Sequence, residues 1–192
     1  MTEKKIKTLD LVLIALFAAI TAVLSQIAIP MPTGVPVTLQ TFAVALCGYF
    51  LGAGKGAAAL GVYLLIGAVG VPVYSGFKGG FQVLLGPTGG FIFGFIAMAF
   101  LCGLSFRKAA GTKLSPVLRI AMGVAGVAAC HLLGTLQYMI VTNVNPEKAG
   151  IDFITSFLLV SAPYLIKDII SVVAAYLISI PLIKATAKVR TA

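Results

Sequence analysis

One carboxylate stands inside an apolar run of helix length. Asp168 occurs in LIKDIISVVAAYLI, where an ionisable side chain is costly to bury and is functional by default. An acid there can accept charge-assisted hydrogen bonds from the N–H groups of a ligand. On a helix Ser171 shares its face, while Lys167 points roughly 100° away. The plainer alternative has Lys167 reaching for lipid headgroups and Asp168 pairing with a neighbour; the binding role is the favoured reading.

Other polar groups sit at comparable positions. Gln40, in VPVTLQTF, offers a donor and an acceptor at the start of an apolar run, and Gln137 and Tyr138 stand near the end of another. The competing reading for each is a helix-terminal group meeting water. His131 has no ligating companion three or four residues away, which favours an interhelical hydrogen bond over a metal or proton-relay role. Cys47, Cys102 and Cys130 lie in apolar stretches without CxxC spacing and read as inert buried thiols.

GAGKGA at 52–57 fails as a phosphate loop. Tyr49 stands where the first glycine belongs, and Gly56 replaces the Ser or Thr after Lys55. With no catalytic triad, HExxH or paired acids, the sequence points away from an enzyme, and no metal or cofactor is expected.

The chain that must position these groups is strongly apolar. Of 192 residues, 60% are hydrophobic and 10% charged, with a mean hydropathy of +1.10. A soluble domain carries roughly a quarter charged residues, so an all-α integral membrane protein is expected, as a single domain over residues 1–192. The formal charge of +9 does not indicate nucleic acid, because Lys and Arg sit in short links between apolar runs rather than on one face. The basic MTEKKIKTLD segment lacks a small-residue cleavage site followed by polar sequence and reads as the lead into an uncleaved first span.

At about 20 apolar residues per crossing, six transmembrane helices are expected. They lie at 9–29, 38–53, 56–71, 88–106 and 117–142, with a sixth beginning near Pro163 and Ser161 as its N-cap. Residues 153–162 read as a membrane-embedded lead-in. The second and third spans are short enough to suggest a re-entrant hairpin instead, and the charges decide between the two. With six crossings and a cytoplasmic N-terminus, inside segments hold Lys4, Lys5, Lys7, Lys55, Arg107, Lys108, Lys113, Arg119, Lys184, Lys188 and Arg190, eleven of the fourteen cations. Lys78 and Lys148 fall outside, and Lys167 lies within the last span. That asymmetry obeys the positive-inside rule, with both termini cytoplasmic. A hairpin would put Arg107 to Arg119 opposite the N-terminus.

The connection between the third and fourth spans is unusual. GAVGVPVYSGFKGGFQVLLGPTGGF, residues 67–91, holds eight glycines, two prolines and one cation among Val, Leu, Phe and Tyr. Exposed to lipid, irregular backbone leaves polar groups unpaired, so this long external loop must be covered by protein or line a cavity. A lid or a binding-site wall is favoured over an ordinary tight connection.

MPTGVPVTLQTFAVALCGYFLG, LLIGAVGVPVYSG and GPTGGFIFGF, in that order, resemble the BioY family, the biotin-specific S components of energy-coupling-factor transporters. The resemblance covers essentially the whole chain. It implies a six-helix protein of the bacterial plasma membrane that binds biotin on its outer side. It further implies partners, a transmembrane coupling protein and two ATPase subunits, whose ATP hydrolysis reorients the S component in the lipid. Ala15 and Ala19 in ALFAAITAV then resemble the AxxxA motif that docks this module. The family pattern has Lys three residues after the acid, where this chain has Ser171. The acid therefore carries over and its basic partner does not, leaving Lys78, Lys167 or a neutral hydrogen bond in its place.

Biotin has a flat ureido ring with N–H donors and a carbonyl, an apolar thiophane ring and a carboxylate tail. Asp168 suits the ureido N–H groups, and Gln40 or Ser171 the carbonyl. Tyr74, Phe77 and Phe91 suit the apolar ring. The carboxylate needs a cation or the backbone N–H groups of Gly89 and Gly90 at a helix start. Lys167 and Tyr138 complete the candidate set. Two other classes compete: a stand-alone facilitator, which needs a continuous polar path, and an assembly subunit that binds no small molecule. An S component for another vitamin is separated from biotin only by the motifs.

Overall fold

The computed structural model describes residues 7–104, 115–145 and 150–191, with side chains described as far as residue 187. Lys4, Lys5, Arg107, Lys108, Lys113 and Lys148 of the charge argument lie outside the described residues, as do the side chains of Lys188 and Arg190. The last two residues of the span expected at 88–106 lie outside them too.

Helices dominate, in the order α1 Thr8–Gln26, α2 Gln40–Leu51, α3 Ala53–Ala68, α4 Phe81–Leu85, α5 Gly89–Leu104, α6 Pro116–Val144, α7 Phe153–Val160 and α8 Leu165–Thr191. A two-residue antiparallel ladder, β1 Ala28–Ile29 with β2 Val37–Thr38, closes the connection between α1 and α2. The all-α expectation did not include it. The turn it spans passes through Gly34 at φ 79°, a conformation glycine adopts without steric cost.

Helix starts follow local chemistry. Ser115 Oγ accepts the Leu118 N–H at 3.2 Å, with Pro116 in the first turn of α6. Asp152 accepts the Thr155 N–H at 2.8 Å to open α7, and those hydrogen bonds hold its carboxyl below the usual range. Ser161 departs from its expected role: it makes no side-chain cap to the 3-10 turn Ala162–Tyr164 that leads into α8. Its hydroxyl is used inside the bundle instead. The lead-in expected over 153–162 is mostly the regular helix α7.

Among the described residues, three apolar segments are long enough to cross a membrane: Thr8–Gln26, Pro116–Val144 and the α7–α8 stretch Phe153–Ala187. Gln40–Leu51, Ala53–Ala68 and Gly89–Leu104 are shorter apolar helices. Side-chain contacts fix how they run. Gln40 bonds Tyr63 and Gly48 packs on Gly56, so α2 and α3 form an antiparallel pair turning at Gly52. Gly103 of α5 rests on that same turn. Lys55 pairs with Asp10 near the start of α1, and the Tyr49 hydroxyl donates to the Arg119 carbonyl at 3.0 Å near the start of α6. One end of the bundle therefore carries Lys55 and Arg119, while Gln40, Tyr63 and Asp168 cluster at the other.

α2 sits at the centre, with eleven of its twelve residues buried. Glycines let its neighbours close in: a Cβ on Gly48 would stand 2.4 Å from the Ala99 carbonyl oxygen of α5. Small residues at helix contacts are how apolar helices gain packing in lipid. The outward faces carry large apolar side chains such as Leu16, Val23, Leu65 and Ile170, a surface suited to acyl chains rather than water.

The connection from α3 to α5 is more ordered than a long loop. Tyr74 and Lys78 exchange backbone hydrogen bonds, and α4 occupies residues 81–85. Its glycines serve close packing. A Cβ on Gly67 would stand 2.2 Å from the Tyr74 ring, and one on Gly79 would stand 2.5 Å from the Val71 carbonyl oxygen.

Candidate ligand-binding site

At the end opposite Lys55, helices α2, α3, α5, α6 and α8 converge beneath the 34–38 and 74–78 segments and enclose a cavity. It measures about 90 Å³ to the centres of water-sized spheres, several-fold more than the roughly 10–15 Å³ one water requires. Phe91, Ile92, Phe95, Met98 and Val127 form an apolar floor; Thr38, Gln40, Thr41, Tyr63, His131 and Asp168 bring polar atoms to the wall. Apolar lining with a few convergent polar groups is the usual make-up of a small-molecule site.

Asp168 lies in the first turn of α8 and is only 4% exposed. Its Oδ2 is 2.9 Å from His131 Nε2 on α6. A carboxylate only accepts, so the imidazole donates. The other oxygen, Oδ1, forms an ion pair with the ammonium of Lys167, and the Thr41 hydroxyl lies beside the carboxylate. A carboxylate oxygen has lone pairs for more than one partner, so Oδ1 can still accept from a ligand.

Lys167 also lines the cavity, and the ammonium donates to the Thr38 carbonyl at 2.8 Å. It is turned into the protein, against the headgroup-reaching alternative. Lys78 adds a second cation from the loop. Two cations and one acid give the lining a positive balance that favours an anionic ligand.

Gln40 is fixed on two sides. Its Oε1 accepts from Thr38 Oγ1 at 3.1 Å, and its Nε2 donates to Tyr63 Oη at 2.8 Å. Tyr63 passes its own proton to the Val73 carbonyl at 3.3 Å. The amide still has a second N–H.

The loop above is fastened to its surroundings. Ser25 Oγ donates to the Val73 carbonyl at 2.7 Å, Gln26 Nε2 to the Tyr74 carbonyl at 3.2 Å, and the Phe77 N–H to Gln26 Oε1 at 2.9 Å. Tyr74 Oη donates to the Leu64 carbonyl at 2.7 Å, and burial pushes its phenol up to about 12. On the other side Tyr164 Oη donates to the Val35 carbonyl at 2.6 Å.

Of the candidates read from sequence, Asp168, Gln40, Lys78, Tyr74, Phe91 and Lys167 line the cavity. The rest do not. Phe77 is 72% exposed at φ 55°; its side chain points away because Gln26 holds the backbone in a left-handed turn. Gly89 and Gly90 are packing positions: a Cβ there would stand 1.9 Å from the Leu84 and 2.3 Å from the Leu133 carbonyl oxygens, and the Gly89 N–H is spent on Gly86 at 3.2 Å. Ser171 is buried off the cavity wall, and Tyr138 packs in a satellite cluster with Val35, Val160 and Tyr164. Gln137 ties α6 to the loop, donating to the Leu84 and Gly86 carbonyls.

Thr38, Thr41, Tyr63 and Tyr164 were not read as site residues. Only Thr38 carried a signal, two places before Gln40 in VTLQ. His131 makes the interhelical bond expected of it, with Asp168 as the unforeseen partner. Ala15 and Ala19 are exposed on the outer face of α1, while Phe17 and Ala18 are buried.

Comparisons with known proteins place the chain among relatives of one family. The BioY family model matches residues 1–188. A protein named "Biotin transporter BioY" from Thermotoga maritima is 38% identical over 175 residues, covering 91% of this chain and 96% of its own. One of the same name from Rhodobacter capsulatus is 34% identical over 173 residues, covering 88% and 90%. A crystal structure of the S-component for biotin from an ECF-type ABC transporter superposes with a TM-score of 0.76 at 25% identity, covering 96% of this chain and 95% of that one.

Proposed function

The chain belongs to the BioY family, and we propose that it is the biotin-binding S component of an energy-coupling-factor importer. The observation that carries this reading is Asp168, a buried carboxylate in the lining of the cavity. A ureido N–H is a further donor that its lone pairs can accept. The second N–H of Gln40 serves the ureido carbonyl, and Phe91 and Tyr74 cover the apolar ring. Lys78, on the loop above, faces the carboxylate at the end of the tail. The role is capture and delivery, not chemical transformation.

The chain acts as a single membrane domain with six crossings, α7 and α8 counting together. The alternation of helix directions supports this, and so do Lys55 and Arg119 at the end away from the cavity. The cavity then opens outward and both termini lie in the cytoplasm of a bacterial cell, in contact with plasma-membrane lipid. The energising partners are a transmembrane coupling protein and two ATPase subunits. Ala15 and Ala19, on the open face of α1, are where the coupling protein approaches closely. ATP hydrolysis in that module reorients the loaded chain and releases biotin inward.

Calorimetric titration of the detergent-purified chain with biotin, without partner subunits, tests the reading. Saturable one-to-one binding is expected. No binding by a folded sample would reject it.

A further inference from the structure

A chain of four buried polar side chains stands behind the cavity. Thr135 Oγ1 lies 2.7 Å from Ser161 Oγ, Ser161 Oγ 2.9 Å from His131 Nδ1, and His131 Nε2 2.9 Å from Asp168 Oδ2. Their exposures are 0%, 0%, 5% and 4%. The chain links α6, the α7 terminus and α8. We propose that His131 is a positioning residue: its Nε2–H pins Oδ2 of Asp168, which leaves Oδ1, beside Lys167, as the oxygen that receives the ligand. The inference rests on the reading above that Asp168 receives the ureido N–H groups.

The torsion that orients a carboxylate is soft, and Lys167 pairs with Oδ1 alone. His131 removes that freedom. Donation from Nε2 holds in either charge state of the ring, because a carboxylate only accepts. In the neutral ring, Nδ1 accepts the Ser161 hydroxyl, which in turn accepts from Thr135. One tautomer is selected, as second partners do for histidines elsewhere. Phe91 adds an edge-on ring contact, centroids 5.7 Å apart and planes at 86°, which fixes the imidazole plane from the cavity side.

Serine, histidine and aspartate in series resemble a nucleophilic triad, but recognition of a triad rests on roles. Ser161 is fully buried and does not line the cavity, so no ligand carbonyl reaches its oxygen. The series orients a carboxylate and does not activate a nucleophile. It also supplies what the sequence lacks at position 171: with Ser171 off the wall, the groups that hold Asp168 come from Lys167 beside it and His131 across the bundle.

Biotin titration of the wild type, D168N, H131L, H131Q and S161A, each with a thermal melt, tests the proposal. Folded H131L is expected to bind roughly tenfold or more weakly, the loss of one hydrogen bond to a charged group. H131Q, whose amide N–H reaches the Nε2 position, restores affinity to within a few-fold, which a merely structural role would not require. Wild-type affinity in folded H131L, or H131Q as weak as H131L, overturns the proposal. If H131L does not fold, a cycle between S161A and D168N decides: losses that fail to add support it, and additive losses overturn it. Loss in D168N with none in H131L removes this inference alone, whereas a wild type that binds no biotin removes the functional reading with it.

Discussion

Lys167 reaches back from the first turn of α8 to the Thr38 carbonyl of β2, 2.8 Å away and 129 residues earlier in sequence. The same ammonium pairs with Asp168. One side chain thus closes α8 onto the start of α2 and sets the charge at the cavity wall. Replacing it breaks both links, leaving the Thr38 carbonyl without this donor and the carboxylate without its cation. Lys167→Met is expected to destabilise the protein by about 1–3 kcal/mol and to weaken biotin binding by roughly tenfold. A thermal melt with calorimetry measures both, and wild-type values in each would remove Lys167 from the account.

Lys78 differs in kind, since it sits on the loop and its role concerns one end of the ligand only. Wild type is expected to prefer biotin over biotin methyl ester by about tenfold, one charge-assisted contact. Lys78→Met is expected to bind acid and ester alike. Competition between the two compounds reads the ratio, and an unchanged preference in the variant would place the carboxylate elsewhere.

Gly90 tests the correction made to its sequence-based role. If it serves packing, Gly90→Ala forces a methyl into the Leu133 carbonyl, costing about 1–3 kcal/mol and several degrees in the melt. The folded fraction is expected to keep its affinity. Lost affinity without lost stability would restore the glycine to the ligand.

Ala15 and Ala19 are exposed on α1, so larger side chains there leave the described core intact. Ala15→Leu with Ala19→Leu is expected to leave biotin binding within twofold of wild type. Uptake by cells carrying the complete transporter is expected to fall more than tenfold, because the close approach of a partner helix is blocked. Undiminished uptake would move the docking surface away from α1.

Much of the site was readable because polar atoms in apolar runs are rare and expensive. Asp168 and Gln40 stood out on that ground alone, and both reached the cavity wall. Tyr63 and Tyr164 did not stand out, since an aromatic ring inside an apolar helix is ordinary; only the folded chain shows their hydroxyls meeting Gln40 and Val35. Glycine is ambiguous in a different way. GPTGG at a helix start reads equally as a set of backbone donors and as a surface for close approach, and the distances to Leu84 and Leu133 decide for approach. Two directions stayed open for Lys167 because helix geometry fixes where a side chain leaves the backbone, not where a long flexible stem ends. The apolar helices were legible from composition, whereas the β1–β2 ladder, two residues per strand, is too short to leave a periodic signal.

A structure of the chain with biotin bound tests the central claim most directly. The account predicts the ureido ring within hydrogen-bonding distance of Asp168 Oδ1, the thiophane against Phe91, and the tail directed toward Lys78. Biotin bound outside this cavity, or inside it with the ureido ring turned away from Asp168, would contradict it.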